Sequence, residues 1–166
     1  MALLVNPPPA PVQSYVTLQA GDLRALWNAL KEIQDRQGYL GLTEMSAPDC
    51  EAASVDRDGI VHDVTVKSQI TIRMPQWANR DEASESERAE WERFHAALLT
   101  HERGHERIMR DGLKAMYKAL EKARATEFQA IIDRENLRID RAGTAYDQRT
   151  DKGRKQGAIL NAPAAP

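Results

Sequence analysis

The sequence predicts an α+β fold, a short antiparallel sheet packed on one long helix with further helices after it. Two patterns carry that expectation. Trp91, Phe94, Leu98, His101, His105, Ile108 and Gly112 recur at steps of three and four, which traces one face of an α-helix. Between Glu51 and Met74 the period falls to two. There Val64, Val66, Ile70, Ile72 and Met74 share one parity, and Thr65, Lys67, Gln69, Thr71 and Arg73 the other, as a strand with one buried face requires.

Residues 1–13 hold four prolines and few core formers, and they read as an extended arm. The folded domain is expected over residues 14–160, opening on a short strand at Tyr15-Val16-Thr17-Leu18. Asp22 then caps a helix whose apolar residues Leu23, Leu26, Trp27, Leu30 and Ile33 share a face, and Gly38 ends it. Tyr39 to Met45 can form a strand, weakened by Gly41. Asp58-Gly59 signals a hairpin, and Pro75 stops the period-two run. Ser84, with Glu87 three residues on, fits a capping box at the start of the long helix, which Met109, Leu113, Met116 and Leu120 prolong. Thr126 to Ala142, with Phe128, Ile131, Ile132, Leu137 and Ile139, predicts another helix or a bent continuation of the first. Gly143-Thr144 is expected to break it, leaving Tyr146 to Gly157 as a structured loop and residues 161–166 as a frayed tail.

Composition narrows the function. At 166 residues the chain suits one domain of ordinary size. Charged residues make up 29% with both signs interspersed and a formal net charge of -2, which argues against a nucleic-acid partner. Cys50 is alone, so neither an intrachain disulfide nor a cysteine-rich zinc site is available. No stretch approaches transmembrane length. The opening Met1 to Pro9 lacks a basic segment, and its apolar run is short for a signal peptide.

The chemistry concentrates in His101-Glu102-Arg103-Gly104-His105, an H-E-x-x-H pattern in the middle of the long helix. Two imidazoles one helical turn apart can grip one zinc ion, and the carboxylate between them can take a proton from water. This is the pattern of zinc peptidases, so zinc is the expected cofactor and a peptide or protein the expected substrate. The bland alternative is a charged helix in which two histidines fall four apart. Ligand spacing on the stripe expected to be buried favours the metal. His95, off that face, is expected on the helix surface or at its rim, and His62, near the hairpin, at the surface.

Catalytic zinc takes three protein ligands and keeps one position open. Ile108 stands three residues after His105 where one familiar arrangement has glycine, so the helix continues and carries Asp111 away from the site. Glu127 and Glu135 are eligible by distance along the chain. Asp147, just past the expected glycine break, is the first choice, although it can equally hold the second nitrogen of a zinc-bound histidine. Tyr146 or Lys152 can donate to the oxyanion of the transition state, with Tyr117 less well placed. Ser68 to Met74 is the stretch expected to receive substrate as an added strand.

The span from about Tyr15 to Leu160 resembles a bacterial domain family of unknown function whose members are regarded as secreted zinc-dependent proteases of zincin type. The resemblance rests on Ile72-Arg73-Met74-Pro75 with Trp77 after it, then Trp91 and Leu98 leading into the His101–His105 motif. The late run Tyr146-Asp147-Gln148-Arg149-Thr150-Asp151-Lys152-Gly153-Arg154-Lys155-Gln156-Gly157 resembles the family's second signature. The resemblance implies a small zincin-like domain, metal binding by His101 and His105, proton transfer by Glu102, and export. The second signature usually reads Thr, any residue, His, Gly, and here it is Thr150-Asp151-Lys152-Gly153. If that histidine is the family's third metal ligand, Lys152 cannot simply replace it, because a protonated ammonium has no lone pair. Either Asp147 completes the site, or two histidines and a weaker group hold the metal, or the domain is a metal-binding or interaction module without catalysis.

Overall fold

A computed structural model describes residues 10–162; residues 1–9 of the expected arm and 163–166 of the expected tail lie outside the described residues. The elements in chain order are β1 (Val12–Leu18), α1 (Leu23–Gln37), β2 (Leu42–Met45), β3 (Asp49–Val55), β4 (Val61–Lys67), β5 (Ile70–Trp77), α2 (Glu85–Leu120) and α3 (Phe128–Thr150). The fold is therefore mixed α+β with one helix much longer than the others. None of the described helices is long and apolar enough to cross a membrane.

The strands form two sheets rather than the single one expected. One has the order β1-β5-β2, and the other is the antiparallel hairpin β3–β4, in which Ala52 faces Val64 and Val55 faces Val61. The period-two run over Val64 to Met74 is thus two strands, parted at Ser68-Gln69. The Ser68 hydroxyl donates to the Ser46 carbonyl at 2.8 Å, and the Gln69 N–H donates to Ser46 Oγ at 2.9 Å. Parity survived that turn unchanged, so periodicity alone could not reveal a change of sheet. β5 lies between β1 and β2. The expectation that Ser68 to Met74 receives a substrate strand fails for this reason, because an added strand needs an open edge. The edges of that sheet are β1 and β2.

The chain divides into two compact units. One is made mainly of Glu44–Thr71 and His105–Tyr146, the other of Gln13–Thr43, Ile72–Gly104 and the segment from Asp147 onward. In the second, Leu23, Leu26 and Leu30 of α1 join Ile72, Met74 and Trp77 of β5 and Trp91, Phe94 and Leu98 of α2 in one buried cluster. Trp77 meets Trp91 edge to face at 6.1 Å, and its indole N–H donates to the Ala20 carbonyl at 2.8 Å. Local signals set the helix ends. The Asp22 carboxylate accepts from the Ala25 N–H at 2.7 Å, and Gly38, at φ 80°, donates to the Gln34 carbonyl. At the start of α2 the Glu87 carboxylate accepts from the Ser84 N–H at 3.0 Å, and Ser84 Oγ accepts from the Glu87 N–H at 3.4 Å.

In the other unit Val61 and Val64 of β4 pack with Met116, Tyr117 and Leu120 of α2 and Ile131 and Ile132 of α3. Gly112 governs how closely the two helices approach. A Cβ there would lie 2.2 Å from Ile139 Cγ1, inside van der Waals contact. Gly112→Ala gains about 1 kcal/mol of helix propensity, but overpacking against the stiff Ile139 costs about 1–3 kcal/mol. The expected net result is lower stability, read as a fall in the urea midpoint. A midpoint that holds or rises would show that Ile139 swings aside freely.

α3 runs through Gly143 to Thr150, so the expected break there is wrong. Tyr146 and Asp147 stand on a helix and not in a loop. The reason lies in the stripe. Ile132, Glu135, Ile139, Tyr146 and Thr150 are buried, with half-buried Gly143 completing steps of three and four. One interior glycine costs about 1 kcal/mol, less than the roughly 1.5–3 kcal/mol gained by burying a large apolar side chain. Leu137 points outward, 48% exposed. The helix stops where Asp151, Lys152 and Gly153 turn left-handed in succession, at φ 51°, 49° and 84°. The Lys152 N–H then donates to the Asp147 carbonyl at 2.9 Å.

Candidate metal centre

His101 and Glu102 are both buried, at 4% and 3% exposure, on the face of α2 that continues from Trp91, Phe94 and Leu98. Space for them is made by two glycines. A Cβ on Gly41 would sit 2.6 Å from Glu102 Oε1, and one on Gly153 would sit 3.0 Å from His101 Cγ. Gly41, expected only to weaken its strand, is therefore where the backbone leading into β2 comes close to the carboxylate. A glycine inside a strand pattern is a recognised sign of such an approach, and that signal was present in the sequence. Next to it, the Thr43 hydroxyl of β2 donates to Glu102 Oε2 at 2.7 Å. An ionised carboxylate this deeply buried needs such donors, because its burial is costly without them.

His101 is held at both nitrogens. Nδ1 lies 3.0 Å from Gln156 Oε1, and Nε2 lies 3.2 Å from Asp147 Oδ1. With the Gln156 amide oxygen as the acceptor, the tautomer that fits carries its proton on Nδ1 and turns Nε2 toward the Asp147 carboxylate. In that tautomer Nε2 and Asp147 Oδ1 are two acceptors 3.2 Å apart, an arrangement that suits a cation between them. Ligands about 2.1 Å from a tetrahedral zinc stand about 3.4 Å apart, close to the observed separation. Asp147 thus faces Nε2 of the ring, while Nδ1 faces Gln156.

One turn further along α2, His105 meets the Tyr146 ring edge-on, with centroids 5.0 Å apart at 89°. His101, His105 and Asp147 each offer one ligand atom, and these atoms all lie within 4.8 Å of one another. Two imidazoles and a carboxylate are a donor set that suits zinc, so the residues present fit the metal.

The other residues considered from sequence are outside that group of three. Glu135 is buried but bonded to Arg134 and Arg138 at 3.2 and 3.3 Å, and Glu127 is exposed. Asp111 is exposed and pairs with Lys114. The Tyr117 hydroxyl donates to Glu121 at 2.6 Å within its own core, a bond that raises its pKa to about 12. Lys152 is exposed. His95 is half-buried against Trp91, and that burial lowers its pKa. His62 bonds the Asp56 carboxylate at 2.8 Å near the surface.

The model of a family described as "Bacterial protein of unknown function (DUF922)" matches residues 13–154. The chain belongs to that family. The DUF922 match takes in β2 to β5, all three helices and each of His101, Glu102, His105, Tyr146 and Asp147. It ends two residues before Gln156. No curated protein and no solved structure matches the chain. Gln156, Thr43 and Thr150, whose hydroxyl lies 3.5 Å from His101 Nδ1, touch the site side chains and were given no role in the reading of the sequence. None of these residue types announces a role, since polar side chains that brace a ligand follow no fixed spacing.

Proposed function

We propose that the chain is a zinc-dependent metallopeptidase. The observation that carries this reading is the grouping of His101, His105 and Asp147, with the buried Glu102 carboxylate adjacent to the first of them on α2. His101 through Nε2, His105 and Asp147 are the proposed ligands. A zinc ion held by them would act as a Lewis acid, polarising the scissile carbonyl and bringing the pKa of water down toward about seven. Glu102 is the proposed general base, receiving the proton of the attacking water and returning it to the leaving amine. Thr43 fixes one oxygen of that carboxylate, so its direction is set before substrate arrives. Tyr146 is the proposed donor to the developing oxyanion, from its place beside the His105 ring.

A second reading has one observation in its favour. Lys152 stands where the resemblance leads one to expect histidine, and this favours a module that binds metal or a partner without turnover. A single experiment separates the two. The purified chain is stripped of metal, titrated with zinc, and incubated with casein and a mixed peptide library, with and without a chelator. Tight one-to-one zinc binding with chelator-sensitive cleavage supports the peptidase. Zinc binding with no cleavage of any substrate favours the module, and absence of zinc binding removes the peptidase and the metal-binding form of the module.

A further inference from the structure

We infer that Gln156 is a positioning residue for His101, selecting the ring tautomer that presents Nε2 to a metal. The inference rests on the metal-binding part of the proposed function. Its basis is the way the end of the chain is built around one histidine. Gly153 and Gly157, at φ 84° and 91°, bracket a single 3-10 turn, Arg154–Gln156. The first glycine supplies the left-handed backbone and also the space against the His101 ring, where any Cβ would lie 3.0 Å from Cγ. The turn closes on itself, with the Gln156 N–H donating to the Gly153 carbonyl at 2.9 Å and the Ala158 N–H to the same oxygen at 3.1 Å.

The segment beyond the turn is tied to α2. The Arg93 guanidinium donates to the carbonyls of Gly157 and Ile159, and Glu90 Oε1 accepts from both Arg93 and the Asn161 N–H, each at 2.7 Å. Glu90 and Arg93 precede His101 by three and two helical turns on the same helix. The strap carrying Gln156 is thus fastened to the element that carries His101, which fixes the distance between amide and ring.

The consequence is specific. Metal-bound histidines generally donate their other N–H to an oxygen that orients the ring, most often a carboxylate or a backbone carbonyl. Here that oxygen belongs to a neutral side chain. With its oxygen toward the ring, the amide accepts from Nδ1 and leaves Nε2 facing Asp147, as a carboxylate in its place would also do.

The test uses zinc itself as the probe, with a competing chromophoric chelator reporting affinity and thermal melting of the metal-free chain reporting fold. Gln156→Leu is expected to weaken zinc binding by about 10–100-fold. Its metal-free melting temperature should stay at the wild-type value. Gln156→Glu keeps the accepting oxygen and is expected to restore zinc affinity to at least the wild-type level. An affinity in Gln156→Leu within twofold of wild type overturns the inference. So does a loss that Gln156→Glu fails to recover, or one matched by a fall in metal-free melting temperature, which would make the residue structural. A wild-type chain that binds no zinc overturns the metal reading as well, so the two failures are told apart.

Discussion

Glu102→Gln is expected to lower kcat for peptide cleavage by about 10²–10⁴-fold, the range that a positioned general base contributes. Zinc affinity should stay within a few-fold of wild type. The substitution keeps side-chain shape, and the Thr43 hydroxyl, which now donates to Glu102 Oε2 at 2.7 Å, can donate to the amide oxygen of the variant. Glu102 is also outside the group of three residues whose ligand atoms converge. A second measurement checks the same idea from stability. At 3% exposure an ionised Glu102 carboxylate would hold its charge where desolvation is expensive, so a neutral isostere should melt no lower than wild type once metal has been removed. A carboxylate serving as a structural anchor would behave in the opposite way, its removal lowering stability and leaving cleavage intact. Cleavage by Glu102→Gln at the wild-type rate would remove Glu102 from the proton-transfer role.

What the sequence disclosed, and what it hid, follows from the range of each interaction. The stripe from Trp91 to Leu120 was legible because helical period is local, and so were the caps at Asp22, Gly38 and Ser84, each a bond spanning four residues or fewer. The pairing of His101 with His105 is local for the same reason. Asp147 was chosen by its place along the chain, and its setting on a helix rather than in a loop was misjudged. Gly143 reads as a breaker by propensity, while the recurrence of Ile139, Tyr146 and Thr150 on one face keeps the helix intact. That recurrence was visible, and it outweighed a single glycine. The division of β4 from β5 was hidden, since it depends on Ser46, more than twenty residues away. Thr43 and Gln156 were hidden too, lying 59 and 55 residues from the motif side chains they bond. No pattern in one sequence relates such pairs.

The resemblance to a family whose late signature carries histidine makes the third ligand the sharpest question, and two substitutions divide it. Asp147→Ala is expected to weaken zinc binding by more than about 100-fold, beyond what loss of an outer supporting group costs. Lys152→Ala should leave affinity unchanged. Asp147 Oδ1 stands 3.2 Å from His101 Nε2 and belongs to the converging group, whereas Lys152 is exposed and its backbone N–H serves to end α3 by donating to the Asp147 carbonyl. The two neighbours therefore have separate tasks, one toward the metal and one toward the helix terminus. Asp147→Asn sharpens the comparison, because the amide keeps one oxygen but loses the charge that balances the cation. It should bind zinc more weakly than wild type and more tightly than Asp147→Ala. If affinity instead survives Asp147→Ala and falls in Lys152→Ala, the left-handed turn after α3 supplies the third donor, and the facing of His101 by Asp147 is an ordinary ion pair.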